Sequence, residues 1–162
     1  MGRRYLLRRP ELAIMLTNEA ASIAIAETDA DIFATHPLIC QLHPQIRLVS
    51  ETEYLERVRC QQAEIGFQLA VLKDKGEVVC VAGFRLCSSL GWGRFLYVDD
   101  LVTDENRRSE GAGKAMLTWL AEQARALQCG LRLDCALHRQ EAHRFYLRER
   151  MHIACFHFKL DS

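Results

Sequence analysis

Three groups of residues in this sequence have types and spacing suited to chemistry. Asp99 and Asp100 are adjacent carboxylates, and a carboxylate can act as a general base directly or through water. The stretch "RRSEGAG", residues 107–113, places glycines just before a helical pattern, where backbone N–H groups can bind an anion. Tyr146 carries a phenol, with an ordinary pKa of about 10, that can donate a proton or a hydrogen bond.

The glycine loop opens a run, "KAMLTWLAEQARALQ", with the apolar spacing of an amphipathic helix. The first turn of a helix has unpaired backbone N–H groups and a partial positive charge, which together attract phosphate. Gly111 and Gly113 remove Cβ atoms from this backbone, and Arg107 and Arg108 can add charge-assisted hydrogen bonds. Taken alone, the loop favours a plain helix start that contains flexible glycines.

Two common phosphate-binding loops do not match this stretch. A Walker A loop requires glycine where Arg108 stands and serine or threonine where Ala115 stands. A dinucleotide-binding fingerprint requires glycine at Met116. The loop therefore needs another explanation if it binds phosphate.

The histidines and cysteines predict neither a metal site nor a hydrolase. His152 and His157 would face opposite sides of a strand, and Cys155 between them has no second ligand cluster at metal spacing. His138 and His143 have no serine or cysteine partner in a recognisable nucleophile motif. We therefore expect no metal.

The composition restricts the class of protein. The chain has 162 residues, with 21 basic and 21 acidic side chains, so its charge provides no general attraction for nucleic acid. No apolar run approaches the roughly 20 residues that a membrane span requires. Seven cysteines, an odd number without a C-x-x-C pair, suggest free thiols and a cytoplasmic location. Arginines at positions 3, 4, 8 and 9 leave nucleic-acid binding as a weaker alternative.

The foldable pattern begins near Ile23. We expect residues 1–20 to be a poorly ordered N-terminal extension and residues 21–162 to form a single domain. Met15 is a candidate natural start.

The reactive groups must be positioned by an alternation of strands and helices. A strand at Ile23–Ile25 is followed by a helix that begins near Asp29. This helix either ends near Pro37 or continues past it. A capping box formed by Ser50 and Glu53 predicts the start of the next helix. Three antiparallel strands lead into the glycine loop, and the long helix after it has Gly130 at its expected C-cap. The predicted strands are 67–73, 78–86 and 95–103, followed by 131–137, a short helix with Tyr146, and a last strand over 152–160.

These motifs together resemble the GNAT superfamily of acyl-CoA-dependent N-acyltransferases. The family signature is Arg or Gln, two residues, Gly, any residue, and Gly or Ala, and here residues 108–113 read "RSEGAG". "YVDDLVTDENR" is similar to the family's preceding strand, and "EAHRFYLRERM" resembles its later helix with Ala-x-x-Phe/Leu-Tyr. The resemblance implies a mixed α/β fold with a central, mostly antiparallel sheet and helices on both faces.

The resemblance also implies an activity and a set of site residues. The chain would transfer an acetyl or other acyl group from acetyl-CoA to an amine, with Tyr146 as the acid and Asp99, or else Asp100, as the base. The alternative for Tyr146 is a structural role as a buried core residue. The alternative for Asp99 and Asp100 is that both are solvated surface charges. Adjacent strand residues face opposite sides, so only one of the two acids would face the cleft unless a bulge intervenes. The implied acetyl-CoA contacts are Leu101, Val102, Thr103, Arg107, Arg108, Ser109, Glu110, Gly111, Ala112, Gly113 and Lys114.

The sequence departs from the family pattern at several positions. Glu110 would repel a pyrophosphate unless it points to solvent or caps the helix, Arg139 stands where the family often has Asn, and Arg150-Met151 replaces Gly-Phe. The amine acceptor is open, and the resemblance makes a homodimer possible. A CoA-binding module without turnover remains the second hypothesis.

Overall fold

The structure is a computed structural model that describes residues 21–160. The predicted extension over residues 1–20, with Met15, lies outside the described residues. The strands are β1 (Ala21–Ile25), β2 (Gln68–Asp74), β3 (Glu77–Ser89), β4 (Gly93–Thr103) and β5 (Gly130–Leu133). The α-helices are α1 (Asp29–Leu42), α2 (Glu51–Ile65), α3 (Ala112–Ala126) and α4 (Gln140–Arg148), and short 3₁₀ turns cover Pro44–Leu48 and Glu105–Arg107.

The five strands form one mixed sheet in the order β1-β2-β3-β4-β5. The first four are antiparallel to their neighbours, and β4 pairs with β5 in parallel. The β4-α3-β5 connection is thus the predicted crossover, because parallel neighbours need a helix between them. The mostly antiparallel sheet of the predicted fold class is confirmed.

Helices cover both faces of the sheet, also as predicted. On one face, α3 contributes Met116, Trp119 and Leu120 to a buried cluster with strand residues such as Phe84 and Leu96. On the other face, α1 and α2 pack against a second cluster of strand residues, Leu69, Val71, Val81 and Val102 among them. The alternation of side chains along β2, β3 and β4 supplies both clusters.

The helix starts follow local side-chain chemistry. The Thr28 side chain accepts the Asp31 N–H at the start of α1, and the Ser50 hydroxyl accepts the Glu53 N–H at 3.2 Å at the start of α2. The Ser50 cap was predicted. Of the two predicted ends for the first helix, the longer is correct, since α1 contains Pro37 and continues to Leu42.

Two sequence predictions at the C-terminal end are wrong. Gly130 does not cap α3, since Gln128 has the left-handed φ of 55° and Gly130 begins β5. The predicted last strand over 152–160 has no strand structure. Alternating apolar residues form a strand only beside a partner, and β5 offers an edge of only 4 residues. Large apolar side chains of this segment are therefore exposed: Ile153, Phe156, Phe158 and Leu160.

Candidate active site

A β-bulge in β4 brings both predicted acids to one place. In the β3–β4 ladder Gly83 pairs with Asp100 and Phe84 pairs with Val98, so Asp99 is the extra residue. In a regular strand the two acids would face opposite sides. Because of the bulge, both line the same cavity.

The cavity has a volume of about 420 Å³ and lies between α1, α2 and the middle of β3 and β4. Its walls include the apolar side chains of Ile39, Val58 and Phe67, and its polar side holds Asp99 and Asp100. Apolar walls with a few converging polar groups are typical of small-molecule sites. Arg57 and Arg85 also line the cavity, so its polar side carries charges of both signs.

Asp99 is held by a guanidinium on the neighbouring strand. Arg85 donates to both Asp99 carboxylate oxygens through Nε, at 3.2 and 2.9 Å, and through Nη2 to Oδ1 at 3.1 Å. Hydrogen bonding to Asp99 raises the pKa of Arg85 above its usual range. The negative charge of Asp99 is therefore balanced within the sheet.

Asp100 has a different partner, His43. Its Oδ1 lies 2.6 Å from His43 Nε2, and the side chain of Asp100 is only 17% exposed. Gly83 provides the space, because a Cβ there would lie 2.7 Å from Asp100 Oδ2 and 2.6 Å from Phe67 Cζ. Sequence reasoning missed His43, since it lies 57 residues from Asp100 and belongs to no motif.

Three consecutive residues at the end of α1 are tied to different parts of the site. Gln41 accepts the Glu105 N–H at 2.9 Å, just after β4. The Leu42 carbonyl accepts a hydrogen bond at 2.8 Å from Nη2 of Arg139, the residue before α4. His43 supplies the third contact, to Asp100. These contacts fix the helix end beside the bulge, and Arg139 contributes to this in place of the Asn that the family often has.

A gap opens between β4 and β5 beyond the bulge. The parallel ladder covers only Phe95–Val98 of β4, opposite Gly130–Leu133, although β4 continues to Thr103. On its other side, β4 remains paired with β3 as far as Thr103. The backbone of residues 101–103 is therefore paired with a neighbouring strand, β3, on one side only. The sequence alone could not predict this open side.

The glycine loop ends at an uncapped helix start. Gly111 is the N-cap of α3, with φ of 93° and no side-chain cap, and the first helical hydrogen bond runs from Ala115 N–H to the Gly111 carbonyl at 2.9 Å. Ala112, Gly113 and Lys114 thus begin the helix with amides that have no intrahelical acceptor. A Cβ at Gly113 would lie 3.1 Å from Thr103 Oγ1, so this glycine lets α3 begin close to the end of β4.

The charged residues of the loop interact mainly with one another. Arg107 donates through Nη2 to Asp74 and through Nε to Glu110, each at 2.6 Å. Both hydrogen bonds raise the pKa of Arg107 above its usual range. Arg108 and Ser109 are exposed, and Ser109 adopts a left-handed φ of 67°. Glu110 is thus paired with Arg107, which Asp74 shares, and it does not cap the helix.

Tyr146 lies on α4, on the side of the sheet covered by α3. The preceding residue, Phe145, comes within 3.8 Å of the Cβ position at Gly113. Burial is the main cause that raises the pKa of Tyr146 to about 12; Cys135 and Cys80 add to the rise, and the positive charge of Arg139 opposes it. Cys80 belongs to the core cluster beneath α3. The phenol of Tyr146 therefore stays protonated at neutral pH. Asp99 and Asp100 lie on the opposite face of the sheet, the face covered by α1 and α2.

The comparison with known families decides the wider assignment. Residues 36–151, which include the bulge, the loop and Tyr146, match the family described as "Acetyltransferase (GNAT) family". The chain belongs to the GNAT acetyltransferase family. The family transfers acyl groups, and the protein is an acyltransferase enzyme.

Individual GNAT relatives agree with this assignment. The chain is 32% identical over 114 residues to a Bacillus subtilis (strain 168) protein named "Uncharacterized N-acetyltransferase YhdJ", covering 69% of this chain and 78% of that protein. A Trypanosoma brucei acetyltransferase structure has a TM-score of 0.72 at 20% identity, covering 88% of this chain and 99% of its own. A ribosomal-protein-alanine N-acetyltransferase from Brucella melitensis has a TM-score of 0.73 at 19% identity, with coverages of 88% and 99%. At these identities the two structures show a shared GNAT fold.

Residues 21–160 contain neither a candidate metal cluster nor a candidate membrane span. No group of three or more His, Cys, Asp or Glu side chains is placed to hold a metal ion in this part of the chain. No helix over the same range is both long and apolar enough to cross a membrane.

Proposed function

We propose that the protein transfers an acetyl group from acetyl-CoA to an amine by direct attack within a ternary complex. The gap between β4 and β5 is the observation that carries this proposal. The carboxylate-lined cavity lies on one side of the sheet at this gap, and the uncapped start of α3 and Tyr146 lie on the other. A donor and an acceptor that approach from opposite faces meet at the gap.

The loop and the end of β4 suit the donor, acetyl-CoA. The free amides at the start of α3 bind the pyrophosphate, and the exposed Arg108 adds positive charge. The pairing of Glu110 with Arg107 reduces the repulsion that the sequence suggested, although Arg107 is shared with Asp74. Backbone N–H groups on the open side of β4, those of Leu101 and Thr103, hold the pantetheine and the thioester carbonyl, where they stabilise developing oxyanion charge.

The side chains move the protons. A base in the cavity takes a proton from the acceptor ammonium, which lets the amine nitrogen attack the thioester carbon. The C–N bond forms, the C–S bond breaks, and Tyr146 donates a proton or a hydrogen bond to the departing thiolate. The raised pKa of Tyr146 keeps its proton in place until that step.

Of the two acids, Asp100 is the better candidate to act in the cavity. Arg85 occupies both oxygens of Asp99, so taking up a proton there would break a charge-assisted pair. Asp100 is held by His43 through one oxygen only. We therefore favour Asp100 over Asp99, which was the preferred acid on sequence grounds.

The acceptor is a small amine or an amine of a protein. The apolar walls of the cavity favour an amine with an apolar arm over a highly polar one. All seven cysteines are free in the structure, which supports the proposal of a cytoplasmic location.

The competing function is a CoA-binding module without turnover. Calorimetry with acetyl-CoA, followed by a free-thiol release assay over a panel of alkylamines, separates the two functions. We expect binding and amine-dependent release of thiol. Binding without thiol release for any amine would support the module, and no binding at all would exclude both.

A further inference from the structure

We propose that His43 is the base that takes the proton from the acceptor amine, and that Asp100 is the residue that positions it. This assignment rests on the proposed acetyl transfer and names a residue that neither the family match nor the sequence motifs indicate. Both side chains line the cavity at the bulge.

The hydrogen bond between the two residues determines which nitrogen of His43 can act. His43 Nε2 lies 2.6 Å from Asp100 Oδ1, and a carboxylate oxygen can only accept. The Nε2 atom therefore carries the hydrogen, which leaves the lone pair of a neutral imidazole on Nδ1. After Nδ1 gains a proton, the nearby carboxylate stabilises the imidazolium.

Exposure and charge favour His43 over the acids themselves. The side chain of His43 is 38% exposed, whereas that of Asp100 is 17% exposed. An imidazole at the edge of the cavity can both meet the amine and pass its proton on to water. Asp99 is engaged by Arg85, so it does not compete for this role.

The backbone around His43 is fixed well enough to orient a catalytic group. Its own N–H donates to the Ile39 carbonyl at 2.8 Å, and Arg139 holds the preceding carbonyl, that of Leu42. Pro44 follows at once and begins a 3₁₀ turn. The imidazole is thus attached to a helix end that two other elements hold in place.

The protons balance over the whole reaction. The acceptor enters as an ammonium ion, and His43 takes its first proton, so the neutral amine attacks the thioester. As the C–S bond breaks, Tyr146 gives its proton to the departing thiolate, and the second proton of the attacking nitrogen restores Tyr146, directly or through water. The net reaction is ammonium plus acetyl-CoA giving amide, CoA thiol and one proton, which leaves through His43 to solvent.

A glutamine at position 43 tests the base role. The His43→Gln side chain can still donate a hydrogen bond towards Asp100 but cannot act as a base. Exposed His152 provides the matched control, His152→Gln. The probes are the best alkylamine of the panel and a fluorinated analogue of it, whose ammonium form loses its proton more readily.

We expect His43→Gln to lower kcat/KM for the alkylamine about 100-fold, a typical loss for a general base. The fluorinated amine is largely neutral already, so its loss should be only a few-fold, and KM for acetyl-CoA should not change. Asp100→Asn should give a smaller loss that also depends on the amine. His152→Gln should match the unaltered protein.

The outcomes distinguish this inference from the proposed function. If the unaltered protein releases thiol but His43→Gln is equally active, or loses the same factor with both amines, the base role is wrong and acetyl transfer stands. If the unaltered protein releases no thiol with any amine, the proposed function fails and the base role fails with it. Thermal unfolding of each variant shows whether it is folded.

Discussion

Arg107 donates a hydrogen bond through Nε to the Glu110 carboxylate at 2.6 Å, within the loop that precedes α3. This contact explains how an acid can stand in a loop suited to bind pyrophosphate. The negative charge of Glu110 is partly compensated by this guanidinium, which also contacts Asp74 on β2. The positive charge available to a ligand therefore comes from Arg108 and the backbone of α3, with Arg107 already engaged.

Removing the charge of Glu110 should tighten acetyl-CoA binding. Glu110→Gln removes one negative charge from the loop, so we expect the Kd for acetyl-CoA to fall a few-fold. This increase in affinity should be smaller at high salt. Calorimetry at two salt concentrations measures both effects. Glu141→Gln on exposed α4 surface is the control, and an unchanged Kd for Glu110→Gln would show that Glu110 does not affect the ligand.

Gly111→Ala should weaken acetyl-CoA binding through the backbone. Gly111 has φ of 93°, which costs an alanine about 1–2 kcal/mol, although the space around it is open. Gly76, with φ of 87° and open surroundings in the β2–β3 turn, is the matched control. Denaturant unfolding should show similar losses for Gly111→Ala and Gly76→Ala, and calorimetry should show weaker binding for Gly111→Ala alone. Equal affinity in both variants would contradict a role for the loop in binding.

Gly83→Ala should damage both stability and the site. The new methyl group would meet Phe67 at 2.6 Å and Asp100 at 2.7 Å, so both must move. Overpacking of this kind costs about 1–3 kcal/mol, measured as the free energy of unfolding. We also expect a lower kcat, because Asp100 shifts from His43. Gly91→Ala is the control, since nothing lies within 4 Å of its Cβ position and its φ is not in the left-handed region.

Tyr146→Phe should reduce turnover without reducing donor affinity. Loss of a positioned acid typically lowers kcat about 100-fold. The aromatic ring stays, so packing against Phe145 and the KM for acetyl-CoA should change little. Steady-state kinetics with the best amine of the panel measures both constants. Equal kcat in the two proteins would remove Tyr146 from the mechanism and leave it as a core residue.

Alkaline pH should destabilise the fold through Tyr54. Burial raises the pKa of Tyr54 from 10.0 to about 12, while its hydroxyl lies 2.7 Å from Thr35 Oγ1. The unfolded chain therefore loses this proton first, and the free energy of unfolding should fall by about 2 kcal/mol between pH 10 and 12 from this group.

Denaturant unfolding at a series of pH values tests this expectation. Tyr54→Phe should be less stable at neutral pH by about 1 kcal/mol, because the hydrogen bond to Thr35 is lost. It should also lose stability less steeply above pH 10. Cys80, whose pKa burial raises to about 11, contributes to the remaining decline, as do Tyr146 and Tyr97, whose pKa values burial also raises. An unchanged slope in Tyr54→Phe would show that Tyr54 is not the cause.

The sequence determined the elements whose signals are local. The Ser50 cap, the apolar stripe of α3 and the turn between β2 and β3 depend on residues close together in the chain, and the structure confirms the elements they predict. The predicted strand over 152–160 was wrong because its alternation required a partner strand. The family signature identified the loop, although not that Arg107 would be used by Asp74, 33 residues away.

The tertiary structure alone decided the arrangement of the reactive groups. The bulge that turns Asp99 and Asp100 towards one cavity arises from the register between β3 and β4, and no residue of β4 by itself specifies that register. His43 meets Asp100 because α1 ends beside the bulge. Secondary structure follows from neighbouring residues and was therefore legible in the chain, whereas contacts between residues far apart depend on how the elements pack.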